Sequence, residues 1–217
     1  MILIPVKILK NAKQRLSPVL DQAERFALSQ AMIHDVAETL AAWVDRPEIA
    51  LVTSDPFALD LAHQFDFQVI PDDFNRSETD AIEMATHIAM ERGVKYSLVI
   101  PGDIPLVTAD DLQAVLDAAP TAGSVLVPAA DGRGTNAALR SPADLFPLRF
   151  GNDSFRPHLA SARATRRPCV VLSRPGIALD VDNPTDLKQL VDAPGATRSQ
   201  VLARQWNLHE LPLAVNE

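Results

Sequence analysis

The chain has 217 residues, of which 47% are hydrophobic, enough to bury one substantial core in one domain. A formal net charge of −8 repels phosphate backbones and anionic lipid surfaces, so neither a nucleic acid nor a membrane is expected as a partner. The single cysteine, Cys169, excludes an internal disulfide. No run approaches the ~18 continuous apolar residues of a membrane span. The opening "MILIPV" is strand-sized with no basic segment before it, so the protein is expected in the cytoplasm.

The first apolar run, "ILIPV" (2–6), reads as a buried strand. It exits into "PVKILKNAKQRLSPVL" (5–20), where Lys7, Lys10, Lys13 and Arg15 place four cations within nine residues. In an acidic chain such a loop is either an anion site or a solvated connection. Asp21 then caps a helix over 21–43, with Phe26, Ile33, Val36, Leu40 and Trp43 along one face. "EIALVTS" (48–54) and "FQVI" (67–70) are further strands, separated by a helix over 56–65 and followed by one over 78–92. The fourth strand, "SLVIP" (97–101), ends two residues before Asp103. Pro-Gly-Asp is good turn chemistry ahead of a helix over 108–118, and a buried strand is also a way to deliver a carboxylate to a ligand.

"SVLVP" (124–128) is the fifth strand, after which the pattern changes. "DGRGTN" (131–136) has glycines that allow close backbone approach, or simply a hairpin turn. The β-like "GTNAALRS" (134–141) follows no helix, and "FGNDSFRPH" (150–158) leads into a helix over 154–164. An antiparallel insertion forming one pocket wall is expected here. Gly151 precedes a helix start at which Asp153 or Ser154 would cap, and helix starts attract phosphate. "CVVL" (169–172) makes Cys169 a buried structural thiol, and "IALDVDNPTDLKQL" (177–190) reads as a strand running into a helix with Pro184 in its first turn. Residues 1–193 thus form the domain, and 194–217 a tail with a helical pattern around 197–205.

Strands alternating with helices imply an α/β fold with a mixed, mostly parallel sheet, whose ligands sit at the carboxyl ends of the strands. Asp103 occupies such an end. Asp180 and Asp182 in "LDVD" share a face of an extended segment, a costly pairing unless a cation offsets it. Oxygen ligands without His or Cys suit a hard ion, Mg²⁺, whereas a structural reading makes Asp182 a helix cap and leaves Asp180 solvated. No G-x-G-x-x-G follows a strand and no P-loop is present. An aspartyl-phosphate phosphatase would place its D-x-D after the first strand, not last. A nucleotide-binding regulatory protein without turnover would not need all three aspartates.

In this order, "IPVKILKNAKQRLSPVL", "VIPGDIPLV", "GTNAALRSP", "FGNDSF" and "LDVDNPTDL" resemble the 2-phospho-L-lactate and phosphoenolpyruvate guanylyltransferase family, which makes the precursor of the deazaflavin coenzyme F420. The resemblance runs from Ile2 to about Leu190. It implies a nucleotidyltransferase fold of the glycosyltransferase-A type, GTP and a small phosphorylated carboxylic acid as substrates, and Mg²⁺ held by Asp103, Asp180 and Asp182. By motif position Thr135, Gly151 and Ser154 become acceptor contacts. Lys7, Lys13 and Arg15 face the nucleotide, with Asp103, Lys13 and Arg15 carrying catalysis. A homodimer is left open. In one stretch the chain departs from the family: "SETDAIEMA" puts Glu78 and Thr79 where Leu-Asn is usual, and Glu78 could accept hydrogen bonds from the guanine edge.

Overall fold

The computed structural model describes residues 1–73, 76–151 and 153–206. In chain order its elements are β1 (Ile2–Val6), α1 (Gln22–Ala42), β2 (Ile49–Thr53), α2 (Pro56–Gln64), β3 (Gln68–Ile70), α3 (Glu78–Glu91), β4 (Ser97–Val99), α4 (Ala109–Asp117), β5 (Gly123–Pro128), β6 (Thr135–Ser141), α5 (Phe155–Ala164), β7 (Cys169–Val171), α6 (Pro175–Ala178), α7 (Pro184–Asp192) and α8 (Arg198–Arg204). Helix starts follow local chemistry. Asp21 and Glu24, Thr108 and Asp111, and Asn183 and Asp186 each form a reciprocal capping box that satisfies first-turn N–H groups.

Among the described residues the strands form one seven-stranded sheet in the order β3-β2-β1-β4-β6-β5-β7. All pairs are parallel except those of β6, which runs antiparallel between β4 and β5. One sheet face buries Ile2, Ile4 and Leu51 against Val36 and Leu40 of α1. The other buries Leu3, Val52 and Val99 against Ala81, Ile82 and Ala85 of α3. A third cluster, including Leu16, Met32, Val181, Leu187 and Ala203, packs α1, α7 and α8 around the ends of two loops. Helix α1 therefore buries a broader surface than its predicted single stripe, since Leu28 and Met32 serve this third cluster. No helix among the described residues is long and apolar enough to cross a membrane.

Three expectations are corrected. Residues 177–180 are not a strand: Pro175 starts the four-residue helix α6, and the chain then runs extended without joining the sheet. The antiparallel segment is no separate insertion. Six of the seven β6 residues are buried, so the strand needs neighbours on both sides and takes a central place. Cys169 is only half-buried, because β7 is an edge strand. The helical pattern near the C-terminus is α8, while residues 207–217 of the expected tail and Asn152 of "FGNDSF" lie outside the described residues.

Candidate active site

This topology gathers one edge of the sheet. β1, β2, β3 and β4 are parallel, so the segments after Val6, Ile70 and Val99 emerge together, bringing Lys7, Asp72 and Asp103 to that edge. Because β6 is reversed, its first residues, Thr135 and Asn136, lie beyond the carboxyl end of β4, where Val99 pairs with Ala138. The β5–β6 loop opens on the same side.

Lys13 lies at the centre. Its Nζ donates to Asp103 Oδ2 and, at 2.7 Å, to Asp182 Oδ1. The residue is left-handed, at φ 55° and ψ 43°, a conformation costing roughly 1 kcal/mol for a side-chain-bearing residue. The two ion pairs oppose that cost. Burial alone would lower the Lys13 pKa, but the charges of Asp103 and Asp182 outweigh it and raise it. Partial burial pushes the Asp182 carboxyl up, yet Lys13 and Arg15 (3.9 Å) hold its pKa below the usual carboxylate value. It is not the helix cap: Asn183 caps α7, and Asp186 accepts from the backbone N–H groups of Asp182 and Asn183, both at 3.0 Å.

Val181 is fully buried and donates its N–H to Asp103 O at 3.2 Å, so Asp180 and Asp182 flank it on the opposite face, as extended alternation requires. Asp180 is pushed up to about 6, by burial first and then by the charges of Asp103 and Asp182, against the hydrogen bond from Asn136. Asn136 was not picked out in the sequence. Its Nδ2 contacts Ile177 O and Ala178 O, both at 3.0 Å, and Asp180 Oδ1 at 2.9 Å, tying this segment to β6. A polar residue opening an otherwise buried strand was the available signal.

Two clefts meet at Asp182. The first, about 340 Å³, is lined by Lys7, Lys13, Glu78, Gly102 and Asp103 together with apolar Val6 and Met32 among others. Lys7 is held by Asp72 at 2.7 Å. Glu78 sits at the first turn of α3, pushed up to about 7 by burial and then by Asp103, with Lys7 and Lys13 opposing. The second cleft, about 290 Å³, is lined by Arg15, Arg133, Gly151, Asp153, Asp180 and Asp182 among others. Lys10 belongs to neither; it lies on a separate groove with Phe26 and Phe57.

Thr135 and Ser154 line neither cleft. Both are nearly buried, and Ser154 Oγ donates to Thr135 Oγ1 at 3.3 Å rather than capping α5. His158 completes this group. Its Nε2 accepts the Arg149 N–H at 2.7 Å, so the proton belongs on Nδ1, which donates to Thr135 Oγ1 at 2.9 Å. Gly151 itself faces the second cleft at φ +137°, a backbone conformation that favours glycine.

Among the described residues no group of three His, Cys, Asp or Glu side chains stands close enough to hold a metal ion. The Lys13 ammonium lies between two of the expected ligands. Asp103 Oδ1 nevertheless is buried with no hydrogen-bond partner, and the Asp180 carboxyl lies within the field of two others. Hard oxygens, one of them orphaned, fit a hard divalent cation.

A family model described as guanylyl transferase CofC like matches residues 1–208. The phosphoenolpyruvate guanylyltransferase of Roseiflexus castenholzii is 34% identical over 204 residues, covering 94% of this chain and 93% of the relative. The 2-phospho-L-lactate guanylyltransferase of Methanothermobacter thermautotrophicus is 33% identical over 189 residues, covering 87% and 82%. A candidate nucleotide-diphospho-sugar transferase from Desulfovibrio desulfuricans G20 shares the fold with a TM-score of 0.76 at 19% identity, covering 94% of this chain and 93% of that one. The mixed sheet, the acidic centre at its carboxyl edge and these matches agree: the chain belongs to the CofC-like guanylyl transferase family.

Proposed function

We propose that this protein moves GMP from GTP onto the phosphate of a three-carbon phospho-acid, phosphoenolpyruvate before 2-phospho-L-lactate or 3-phospho-D-glycerate, and releases pyrophosphate. The observation that carries this reading is the pair of clefts meeting at Asp182, beside Lys13 and Asp103. The first cleft takes GTP. Its apolar part suits the base, Glu78 suits the guanine edge, and Lys7 and Lys13 suit the phosphates, with Arg15 reaching them from the second cleft beside Asp182. The second cleft takes the acid at the Gly151 turn, which the buried Thr135–Ser154–His158 group holds in shape.

An oxygen of the acceptor phosphate attacks the α-phosphorus while the bond from that phosphorus to the oxygen bridging to the β-phosphate breaks. The electron pair leaves with pyrophosphate. No general base is needed, because a phosphate monoester with a second pKa of ~6 is already ionised near neutrality. Lys13 and Arg15 neutralise the leaving pyrophosphate, and the fixed clefts supply alignment. Asp103, Asp180 and Asp182 would hold Mg²⁺, which supplies further charge neutralisation at the phosphates. Both substrates are soluble anions, and we place the reaction in the cytoplasm, with the product serving as a precursor of coenzyme F420.

The test is pyrophosphate release by the purified protein with Mg²⁺, each nucleoside triphosphate and each of the three acids. Release is expected only when GTP and an acid are both present. Absence of release with every pair, or equal rates with ATP and GTP, would overturn guanylyl transfer.

A further inference from the structure

An acceptor that carries both a phosphate and a carboxylate is at least doubly negative, yet the cleft assigned to it is acidic. Five aspartates line that cleft against two cationic side chains, Arg15 and Arg133. Arg15 lies 3.9 Å from Asp182, at the end where the phosphates meet. Arg133 comes from the β5–β6 loop and belongs to another wall. Its Nε donates to Asp153 Oδ1 at 2.6 Å and its Nη2 to Asp153 Oδ2 at 3.1 Å. This is the paired geometry in which a guanidinium grips any carboxylate.

The pair has little to do for the fold. Its side chains are 62% and 60% exposed, and exposed ion pairs contribute little stability. Its base, by contrast, is fixed. Asp131 Oδ1 accepts from the backbone N–H of Arg133 at 2.8 Å, and Arg133 O accepts from Phe155 N at 2.8 Å, locking the loop to the start of α5. Asp153 is held at φ +58°, a left-handed conformation uncommon outside glycine. A rigidly based, solvent-reachable guanidinium thus stands in the cleft assigned to the acid, already engaged with a carboxylate that belongs to the protein.

We propose that Arg133 is a specificity residue that grips the carboxylate of the acceptor acid, which displaces Asp153 from it. This rests on guanylyl transfer to a phospho-acid as the reaction. The Arg133–Asp153 pair is exposed and weak, whereas an acid already anchored through its phosphate presents its carboxylate at high effective concentration, so the exchange favours the acid. The displaced Asp153 carboxylate is already at the surface and returns to water. Acceptors with a carboxylate are thereby favoured over simple phosphate monoesters.

The test compares Arg133→Gln and Arg133→Lys with the natural protein in three measurements: KM for the acid, KM for GTP, and the inhibition constant of glycerol 3-phosphate, a carboxylate-free monoester, competing with the acid. Arg133→Gln is expected to raise KM for the acid about tenfold or more, the loss of hydrogen bonds to a charged group. KM for GTP and the glycerol 3-phosphate constant should stay within about twofold. Arg133→Lys, which keeps the charge without the fork, should fall between. An unchanged KM for the acid would overturn the assignment. So would a parallel rise for glycerol 3-phosphate, which would mean that Arg133 holds the phosphate or only shapes the wall. Failure of the underlying reaction shows itself separately, as no pyrophosphate release by the unsubstituted protein with any acid.

Discussion

Lys13 shows how one side chain makes an acidic centre tolerable. Without a cation, Asp103 and Asp182 would be partly buried like charges; the Lys13 ammonium between them pairs with both and helps hold the Asp182 carboxyl below the usual carboxylate range. Asp103 still has one oxygen unpaired, an arrangement that favours function over stability. Asp103→Asn should therefore reduce turnover by at least about a hundredfold in a protein that still folds, since Lys13 keeps its pair with Asp182. Turnover of the variant and of the natural protein at limiting Mg²⁺, with thermal unfolding in parallel, checks this. Equal turnover would remove Asp103 from the reaction.

At the level of elements, the second cleft depends on a joint between β6, α5 and the segment before Gly151. His158 makes that joint with both ring nitrogens engaged, which only the neutral imidazole can do. Burial, and next the charge of Arg140, lower its pKa to about 4. In the unfolded chain the same group titrates near 6.5, so between pH 6.5 and 4 the unfolded state binds the proton that the folded state refuses. The contribution of His158 to stability is complete above pH 6.5, declines as the pH falls through that window, and changes no further below about pH 4. Melting temperatures from pH 7 to 4.5 should fall more steeply for the natural protein than for His158→Gln. Parallel curves would show that the imidazole is not held neutral.

Across the whole molecule, the reversed central strand carries a buried charge that ties the sheet to its cover. Arg140 on β6 is fully buried. It donates to Phe146 O at 2.8 Å and Thr86 Oγ1 at 2.9 Å, and it faces Glu83 of α3 at 3.4 Å. Glu83 also accepts from the backbone N–H of Leu148, at 3.1 Å, in the segment leading to Gly151. Removing one partner of such a pair strands the other charge in the interior, at a cost of about 3–5 kcal/mol. Glu83→Ala should lower the melting temperature by roughly 6–20 °C, since 1 kcal/mol shifts a chain of this size by about 2–4 °C. Calorimetry checks it; a shift under about 2 °C would mean that Phe146 and Thr86 suffice to hold the guanidinium.

The order of strands and helices was readable from the chain because it rests on neighbours a few residues apart. Apolar runs of strand length, capping boxes such as Asp21–Glu24, and Pro184 at a helix start act within one turn. Asp103 and the Asp180–Asp182 pair stood out for the same local reason, as charges set against apolar runs. Pairings between distant segments were not readable. Lys13 meets residues 90 and 169 positions away, and β6 could pair with several strands until burial on both faces placed it between β4 and β5. The inward turn of Thr135 and Ser154 toward His158, and the grip of Arg133 on Asp153, likewise arise only when β6 meets α5. Hydroxyls, carboxylates and guanidinium groups have many acceptable partners in a sequence, and packing selects among them.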